Sequence, residues 1–508
     1  MSSGALARPA ASSATRPAIT TRVGIIGTGF GGMAVAIELR RAGYRNLVIF
    51  EKATEVGGVW RENTYPGAAC DVPSHYYSLA SAPRATWPRR FSRQPTILNY
   101  MNEVADEFDL RSSIRFDAAV TAARFNPSRG CWTVTTADGA TTEVDVLVPA
   151  VGQLSRPALP NIPGRSSFAG ASFHSAEWDH TVTLSSKRVA VIGSGASAIQ
   201  FVPEIQPKVD TLLVFQRTPP HLLPRPDGRF GAARRWIFAK LPFTQRMSRF
   251  TWYAVMESLG VALLRARPLA GAVALVCRGH MRFQTRKVPG LFEKVWPLYP
   301  LGCKRILLSS NYLPALTQPN VEVITSGISS ITRGGLVTDD GVEHAVDVII
   351  YGTGFTATDF LAPLQIKGLD GRDLREGWSE CAHAYLGITV PHFPNLFLMY
   401  GPNTNLGAGS IVAMLEAQAR YIRQALDYRN SLAAPVALEV NEQVATEFDL
   451  RMQRLLSSGV WSQCHSWYRL PNGRIPTNWP GTVGEYRRRT AEFDPHDFGQ
   501  PSTGATPR

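Results

Sequence analysis

Two glycine-rich turns in this chain have the spacing that brings a backbone close to a phosphate group. The first, Gly27-Thr-Gly29-Phe30-Gly-Gly32, follows the apolar run 23–26 and opens a stretch with helical spacing. Such a turn lets the backbone approach a pyrophosphate and points a helix N-terminus at its negative charge. The second, Gly193-Ser194-Gly195-Ala196-Ser197-Ala198, follows the apolar run 188–192. One such turn alone could be a plain tight turn, but the strand before and the helix after each turn predict two βαβ nucleotide sites.

The residue that ends the second strand of each βαβ unit differs in charge. Glu51 follows Gly29 by twenty-two residues, and a carboxylate there accepts hydrogen bonds from ribose hydroxyls but repels a 2′-phosphate. Arg217 follows Gly195 by the same twenty-two residues, and a guanidinium suits a 2′-phosphate. Arg217 could instead be a solvated surface charge, and Lys304 could be a second cation for the phosphate. The first site is therefore predicted to take FAD or NAD, and the second NADP.

These elements predict an α/β fold with two Rossmann-like dinucleotide-binding domains and a helical insertion. The 508 residues exceed what one core usually holds. We expect a discontinuous FAD-binding domain over 21–165 and 340–490, which resumes at the apolar run 346–351. The NADP-binding domain is expected over 166–222 and 291–339, with the helical insertion over 223–290. Residues 1–20 and 491–508 are predicted to be disordered tails.

A third motif stands between the two turns. It reads Phe168-Ala-Gly170-Ala-Ser-Phe-His174-Ser-Ala-Glu-Trp178-Asp179. The motif resembles the FxGxxxHxxxW fingerprint, followed by Pro or Asp, of type I Baeyer–Villiger monooxygenases. Related N- and S-oxidising flavin monooxygenases usually have another aromatic residue at the last position, so Trp178 favours the Baeyer–Villiger family. The resemblance runs from about Val23 to Tyr486.

The resemblance implies roles for residues outside the turns. Segments around Trp60 and Asp71 look like the family's flavin-contacting region, and the segment around Trp467 is similar to a late loop that closes over the nicotinamide cofactor. Arg305 is implied to be the catalytic arginine, with Asp71 as its acidic partner. No metal is expected. The implied cofactor-binding residues are Gly27, Gly29, Phe30, Gly32, Glu51, Gly58, Val59, Trp60, Asp71, Gly193, Ser194, Gly195, Ala196, Ser197, Arg217, Thr218, Lys304, Gly354 and Trp467.

The implied reaction consumes NADPH and O2 and oxidises a ketone to an ester or lactone through a C4a-peroxyflavin. Arg305 would stabilise the negative charge that develops on oxygen. His174 and Trp178 are expected to be structural residues of a domain linker. The alternative is oxidation of an amine or thioether. A disulfide reductase is set aside because it needs a cysteine pair near the flavin, and a non-catalytic binding protein is set aside because it needs neither two nucleotide sites nor Arg305.

The six cysteines show no CxxC or CxxxxC spacing. The sequence therefore predicts neither a disulfide framework nor a zinc site, and it favours a reducing, cytoplasmic location. The most apolar stretch, 252–277, includes Glu257 and Arg265, which argues against a membrane-spanning helix.

Positive charge is concentrated in the expected insertion. Residues 223–290 contain thirteen arginines and lysines against only Asp227 and Glu257, interleaved with aromatic residues. Three explanations are considered, in order of preference: a helical subdomain with an apolar core and a solvated basic face, a hydrophobic entry route for a bulky substrate that can be anionic, and contact with an anionic membrane surface. The expected substrate is a bulky or aromatic ketone. Nucleic-acid binding is not expected, because no nucleic-acid module is present.

Overall fold

The computed structural model describes residues 19–432 and 437–499. The strands are β1 (Val23–Ile26), β2 (Leu47–Phe50), β3 (Ile114–Arg115), β4 (Val120–Asn126), β5 (Cys131–Thr136), β6 (Thr141–Val144), β7 (Val146–Pro149), β8 (Ala171–His174), β9 (Arg188–Ile192), β10 (Thr211–Phe215), β11 (Leu222–Leu223), β12 (Leu307–Leu308), β13 (Val321–Ile324), β14 (Ile328–Ile331), β15 (Gly335–Thr338), β16 (Glu343–Ala345), β17 (Val348–Tyr351), β18 (Gln365–Lys367), β19 (Glu439–Val440) and β20 (Phe498–Gly499). The α-helices are α1 (Phe30–Arg41), α2 (Val59–Glu62), α3 (Gln94–Glu107), α4 (Ala198–Ile205), α5 (Ala232–Lys240), α6 (Pro242–Leu264), α7 (Arg267–Thr285), α8 (Leu291–Val295), α9 (Tyr312–Leu316), α10 (Leu374–Gly377), α11 (Ile411–Ser431), α12 (Glu442–Ser457) and α13 (Val483–Arg489).

The first nucleotide-binding sheet has the strand order β3-β2-β1-β7, and all its pairs are parallel. Its strands are short runs of apolar residues, as expected when a parallel sheet is covered on both faces. The sheet and the helices α1 and α11 contribute to one continuous hydrophobic core. The mixed sheet β18-β4-β5-β6 packs beside it around Trp132, which is fully buried. The α/β class and the first βαβ unit are confirmed.

The second nucleotide-binding sheet has the order β13-β10-β9-β17-β8 and is also parallel throughout. We expected the first domain to resume at residues 346–351, and this expectation is wrong. The strand β17 hydrogen-bonds to β9 and β8, so it belongs to the second sheet. An apolar strand fits the interior of either sheet, and only its hydrogen-bond partners decide between them. The chain returns to the first domain by β18, which pairs with β4, and the other domain limits stay predictions.

Three helices, α5, α6 and α7, occupy most of the predicted insertion. The short parallel pair of β11 and β12 joins the two ends of this excursion from the second domain. Among the described residues no single helix is long and apolar enough to cross a membrane, although α6 and residues 268–285 of α7, bent by 107°, pass the length and composition criteria together.

The predicted C-terminal tail is partly ordered. Residues 491–499 are described, and β20 pairs with β19 in antiparallel fashion while Phe498 packs into the first core. The apolar Phe493 and Phe498 rings lie 4.7 Å apart, and their burial explains why this segment folds. The rest of that tail and residues 1–18 lie outside the described residues.

The expectation of no disulfide is also wrong. Cys303 and Cys464 form a disulfide although 161 residues separate them in the chain. The spacing rules used for the sequence detect pairs close in the chain, and they carry no information on a pair that only the fold brings together. The other cysteines, Cys70, Cys131, Cys277 and Cys381, are free and buried.

Candidate active site

The first glycine-rich turn is closely packed at Gly32 and open at Gly29. A Cβ on Gly32 would lie 1.9 Å from the carbonyl oxygen of Gly27, so α1 starts directly against the turn. At Gly29 the nearest atom to such a Cβ is the Cα of Gly58, at 3.8 Å. Gly29 therefore leaves space at the N-terminus of α1, which begins at Phe30. This cradle fits the pyrophosphate of FAD.

Glu51, at the end of β2, is buried and held by several donors. Its Oε2 atom accepts hydrogen bonds from the backbone N–H and the hydroxyl group of Thr28, at 3.0 and 2.5 Å, and its Oε1 atom accepts one from the N–H of Ala53, at 3.1 Å. The guanidinium of Arg61 lies 3.1 Å from Oε1. These three hydrogen bonds occupy both lone pairs of Oε2 and one of the two on Oε1. Oε1 can therefore still accept a ribose hydroxyl, while the charge of Glu51 repels a 2′-phosphate.

The segment predicted to contact the flavin crosses next to the first cradle. Gly58 has a φ of +51° and precedes α2, which begins at Val59. The indole N–H of Trp60 donates to the hydroxyl oxygen of Tyr77 at 3.2 Å. The structure thus places Gly58, Val59 and Trp60 beside the turn, as the family resemblance implies.

The second cradle repeats the design with one open position. A Cβ on Gly193 would lie 2.4 Å from the carbonyl oxygen of Gly352, whereas at Gly195 the nearest atom is the same oxygen at 3.9 Å. Gly195 and Ala196 are exposed. Ser194 donates a long hydrogen bond of 3.4 Å to the carbonyl of Thr218. Ser197 immediately precedes α4. The predicted cofactor-binding residues of this turn therefore lie around the open position at Gly195.

Two cations stand at the edge of the second cradle. Arg217 lies two residues after the end of β10 and is exposed. Burial lowers the pKa of Lys304, and the positive charge of Arg217 lowers this pKa further. The Lys304 ammonium also lies 4.9 Å from the centre of the Tyr299 ring. The positive charges of Arg217 and Lys304 repel each other in the free protein. A doubly charged phosphate bound between them would relieve this repulsion.

Arg305 and Asp71 form an ion pair, as predicted. The Nε and Nη2 atoms of Arg305 donate to Oδ2 of Asp71 at 3.0 and 2.7 Å. The carboxylate of Asp71 raises the pKa of Arg305 above its usual value, and Tyr468 and Tyr400 act in the same direction. About a third of each side chain of the pair is exposed. Arg305 is therefore a fixed cation that a small molecule can reach.

Two further predicted cofactor residues, Gly354 and Trp467, belong to neither glycine turn. Gly354 has a φ of +83°, and its carbonyl oxygen accepts a hydrogen bond from the N–H of Ala158 at 2.9 Å. It therefore lies at the crossover between the sheets. Trp467 is 45% exposed, and its ring centre lies 4.2 Å from that of Tyr468.

The linker motif between the turns is structural in its contacts. His174 is buried, and its Nδ1 atom accepts a hydrogen bond from the N–H of Ala176 at 3.1 Å. Burial lowers the pKa of His174. The ring of Trp178 packs against Phe173 and Phe201, with ring centres 5.2 and 5.4 Å away. These contacts join the motif to the core of the second domain.

The sequence did not single out Tyr400 or the two disulfide cysteines. Tyr400 follows the irregular segment after β18, has a φ of +61°, and donates from its hydroxyl to Oδ1 of Asn405 at 2.9 Å. No local sequence pattern predicts Tyr400 as a site residue. It comes close to Arg305 only because the chain returns to the first domain. Tyr468 lies in the segment that the resemblance matched, although no role was predicted for it.

Two dinucleotide cradles with opposite charges at their strand ends, and an arginine–aspartate pair beside them, define a flavoprotein that uses a nicotinamide cofactor. Residues 20–230 match the family model described as flavin-binding monooxygenase-like. The chain is 44% identical over 475 residues to a Baeyer–Villiger monooxygenase of Streptomyces coelicolor, covering 93% of this chain and 91% of that one. It is 42% identical over 476 residues to a Baeyer–Villiger monooxygenase of Pseudomonas aeruginosa, covering 93% and 90%.

Solved structures agree with these relatives. A steroid monooxygenase bound to NADP superimposes with a TM-score of 0.83 at 30% identity, covering 93% of this chain and 97% of that chain. A closed cyclohexanone monooxygenase also gives 0.83, at 26% identity, covering 95% and 99%. The chain belongs to the Baeyer–Villiger monooxygenase family. It is an FAD- and NADPH-dependent monooxygenase that inserts one atom of O2 next to a ketone carbonyl.

The family assignment also decides between the alternatives. It supports Baeyer–Villiger oxidation over oxidation of nitrogen or sulfur. The disulfide reductase was set aside because no cysteine pair was expected near the flavin, and the bond between Cys303 and Cys464 removes that reason. The match to monooxygenases over the full catalytic region now excludes it.

Proposed function

We propose that Arg305 is the catalytic residue and that Asp71 orients it. The observation that carries this proposal is the ion pair in which one carboxylate oxygen takes the Nε and Nη2 donors of Arg305. The Nη1 group lies outside this pair and can face the oxygen atom on which negative charge develops. A guanidinium stays protonated at any physiological pH, and Asp71 reinforces this. Bound FAD supplies the oxygen activation that side chains cannot provide.

Replacement of Arg305 tests this assignment. In Arg305→Ala we expect ester formation to fall by roughly 10²–10³-fold, while NADPH is still oxidised and hydrogen peroxide accumulates. Arg188→Ala is the matched control, because Arg188 forms a similar pair with Asp347 at the opposite end of β9 from the cradle. Mass spectrometry of the product and a peroxide assay separate the two variants. Full ester formation by Arg305→Ala would refute the assignment.

We propose that NADPH binds at the second cradle with its 2′-phosphate between Arg217 and Lys304, and with Trp467 over the nicotinamide. The lowered pKa of Lys304, which results from burial and from the positive charge of Arg217, supports the phosphate site. The exposed indole of Trp467, which packs at a tilt against the buried Tyr468, supports a role in covering the cofactor.

The substrate is proposed to be an apolar ketone, with bulky or aromatic ketones preferred. Two tyrosines, Tyr400 and Tyr468, lie close enough to Arg305 to raise its pKa, and both bring aromatic rings to the site. The names of two structural relatives, cyclohexanone monooxygenase and steroid monooxygenase, point to the same class of substrate. Comparing kcat/KM for cyclohexanone, an aryl ketone and a steroid ketone tests this choice. A preference for cyclohexanone over both larger ketones would contradict it.

We also propose that the insertion contacts an anionic membrane surface. On α6, Phe243, Met247 and Phe250 follow helical spacing and each is more than half exposed. The opposite face of α6 is docked: Gln245 donates to the carbonyl of Arg84 at 2.9 Å, and Arg249 to that of Ser78 at 2.6 Å. A helical subdomain whose apolar residues all form its core therefore does not account for this exposed face of α6.

The charge of the insertion identifies the kind of partner. Residues 223–290 contain thirteen basic side chains and only two acidic ones, so a second copy of the same surface would be repelled. Anionic lipid headgroups attract arginine and lysine, while aromatic side chains enter the interface. A cytoplasmic location, which the sequence predicted, would bring this surface to the anionic cytoplasmic leaflet.

Vesicle binding tests the membrane contact. We expect the enzyme to co-sediment with phosphatidylglycerol-containing vesicles at low salt, and less at high salt or with pure phosphatidylcholine. The double variant Phe243→Ser/Phe250→Ser should lose binding. Leu450→Ser, which replaces an exposed leucine on α12, should retain it. No salt-sensitive binding, or self-association through this surface instead, would refute the proposal.

A further inference from the structure

The disulfide joins the segment that contains Arg305 to the segment that contains Tyr468. Cys303 is fully buried and lies two residues before Arg305. Cys464 is half-buried and lies four residues before Tyr468. Tyr468 lies close enough to Arg305 to interact with its charge: burial raises the pKa of Tyr468 to about 12, while the charge of Arg305 opposes this rise. The covalent bond thus runs parallel to a non-covalent contact between the same two segments.

The segment that carries Arg305 is a loop without regular structure at its start. Gly302 has a φ of +87°, and a Cβ there would lie 3.3 Å from Leu263 of α6 and 3.7 Å from Val460. Residues 464–467 also lie in no helix or strand. Asp71 fixes Arg305 from the first domain only through its guanidinium. The backbone on both sides of the site therefore depends on loop contacts and on the disulfide.

We propose that Cys303 and Cys464 are positioning residues for the monooxygenase reaction and that their disulfide is a reducible tether. In the oxidised form the tether holds the segment of Arg305 against the loop of Trp467 and Tyr468. A dithiol reductant supplies two electrons and two protons, breaks the S–S bond and leaves two thiols, while the reductant becomes its own disulfide. The reduced enzyme keeps its fold and its FAD, but the two loops separate more easily. The inference rests on the proposed roles of Arg305 and Trp467.

The expected consequence is poorer retention of the nicotinamide cofactor and poorer use of oxygen. When the loops separate, NADP+ leaves sooner and water reaches the site, which diverts oxidised NADPH to hydrogen peroxide. We expect reduction to weaken NADP+ binding by about fivefold, a coupling of ordinary size between neighbouring elements. The share of peroxide in the products should rise in parallel, while kcat for NADPH oxidation changes less.

The first measurement establishes the bond in the folded holoenzyme. The enzyme is treated with oxidised glutathione, unfolded in an alkylating reagent, and weighed with and without prior reduction. The expected mass difference is two additional alkyl groups after reduction, assigned to Cys303 and Cys464 by peptide mapping. Alkylation of both cysteines without reduction would overturn the proposal. This readout is independent of activity, so it remains informative even if Arg305 proves not to be catalytic.

The second measurement uses Cys464→Ser, which breaks the tether and leaves the buried Cys303 in place. Its NADP+ dissociation constant and peroxide share should equal those of the reduced wild type, and reductant should change neither. Cys303→Ser should give the same values if it folds. Cys381→Ser, a change at a buried free cysteine, should remain as sensitive to reductant as the wild type. Equal values for oxidised wild type and Cys464→Ser would overturn the proposal.

Discussion

The two glycine-rich cradles share one backbone design, but they differ in how well their charged side chains are preorganised before a ligand binds. In the first, Glu51 is buried, accepts hydrogen bonds from Thr28 and Ala53, and pairs with Arg61. In the second, Arg217 is exposed, and its positive charge lowers the pKa of Lys304. A preorganised site binds tightly because little ordering remains to be done. The first cradle thus suits a resident cofactor, and the second suits one that must enter and leave in each turnover.

The largest expected effect comes from filling the closed position of the first cradle. Gly32→Ala places a Cβ 1.9 Å from the carbonyl oxygen of Gly27, so the start of α1 must move. We expect a loss of about 3 kcal/mol or more of folding stability and a protein without FAD. Gly195→Ala is the control, since its Cβ would be 3.9 Å from its nearest neighbour. Thermal unfolding and the flavin absorbance report both variants, and normal FAD content in Gly32→Ala would contradict the comparison.

The next effect concerns the selectivity of the second cradle. Arg217→Ala removes charge-assisted hydrogen bonds to the 2′-phosphate, so KM for NADPH should rise about 10–100-fold, while KM for NADH stays nearly constant. Lys208→Ala removes another exposed charge of the same domain and should change neither value. Initial rates with both nucleotides decide the matter. An equal rise in KM for NADPH and NADH would show that Arg217 does not bind the 2′-phosphate.

The sequence predicts these cradles because the signals are local. A strand, a glycine turn, a helix and the residue that ends the next strand lie within about thirty residues, and the structure shows both units as expected. The pairing of Arg305 with Asp71 joins distant segments, and it was predicted only through the family resemblance. The geometry agrees with it.

The errors all concern partners that are far apart in the chain. Strand β17 is apolar and fits either sheet, and its place is decided by its hydrogen bonds to β9, more than 150 residues earlier. The disulfide spans a similar separation. The exposure of Phe243 and Phe250 could not be read from their spacing, because an apolar helical stripe looks the same whether a neighbouring element covers it or not.

A smaller effect should follow from neutralising the first cradle. Glu51→Gln keeps the shape of the side chain but removes its charge, so the hydrogen bonds to Thr28 and to ribose hydroxyls weaken. We expect FAD affinity to fall roughly tenfold, as for loss of one charge-assisted hydrogen bond. Glu62→Gln is the control, because Glu62 also pairs with Arg61 but lies on α2 rather than at the end of β2. Fluorescence of released FAD after dilution measures both, and equal retention in the two variants would argue against the role of Glu51.

The smallest effect is a pH dependence confined to the second cradle. Burial and Arg217 lower the pKa of Lys304, so the free enzyme loses this charge at a lower pH than an exposed lysine would. A bound 2′-phosphate favours the charged form, so binding takes up a proton in that window and weakens as the pH rises. We expect KM for NADPH to increase roughly threefold as the pH rises toward the ordinary pKa of an exposed lysine, about 10.4. For the same reason Lys304 makes the free protein more stable to unfolding as the pH rises through this window, because the unfolded chain holds the proton longer. Lys304→Arg keeps its charge throughout and should give a flat profile, as should NADH with the wild type, and a steep profile in either case would assign the titration to another group.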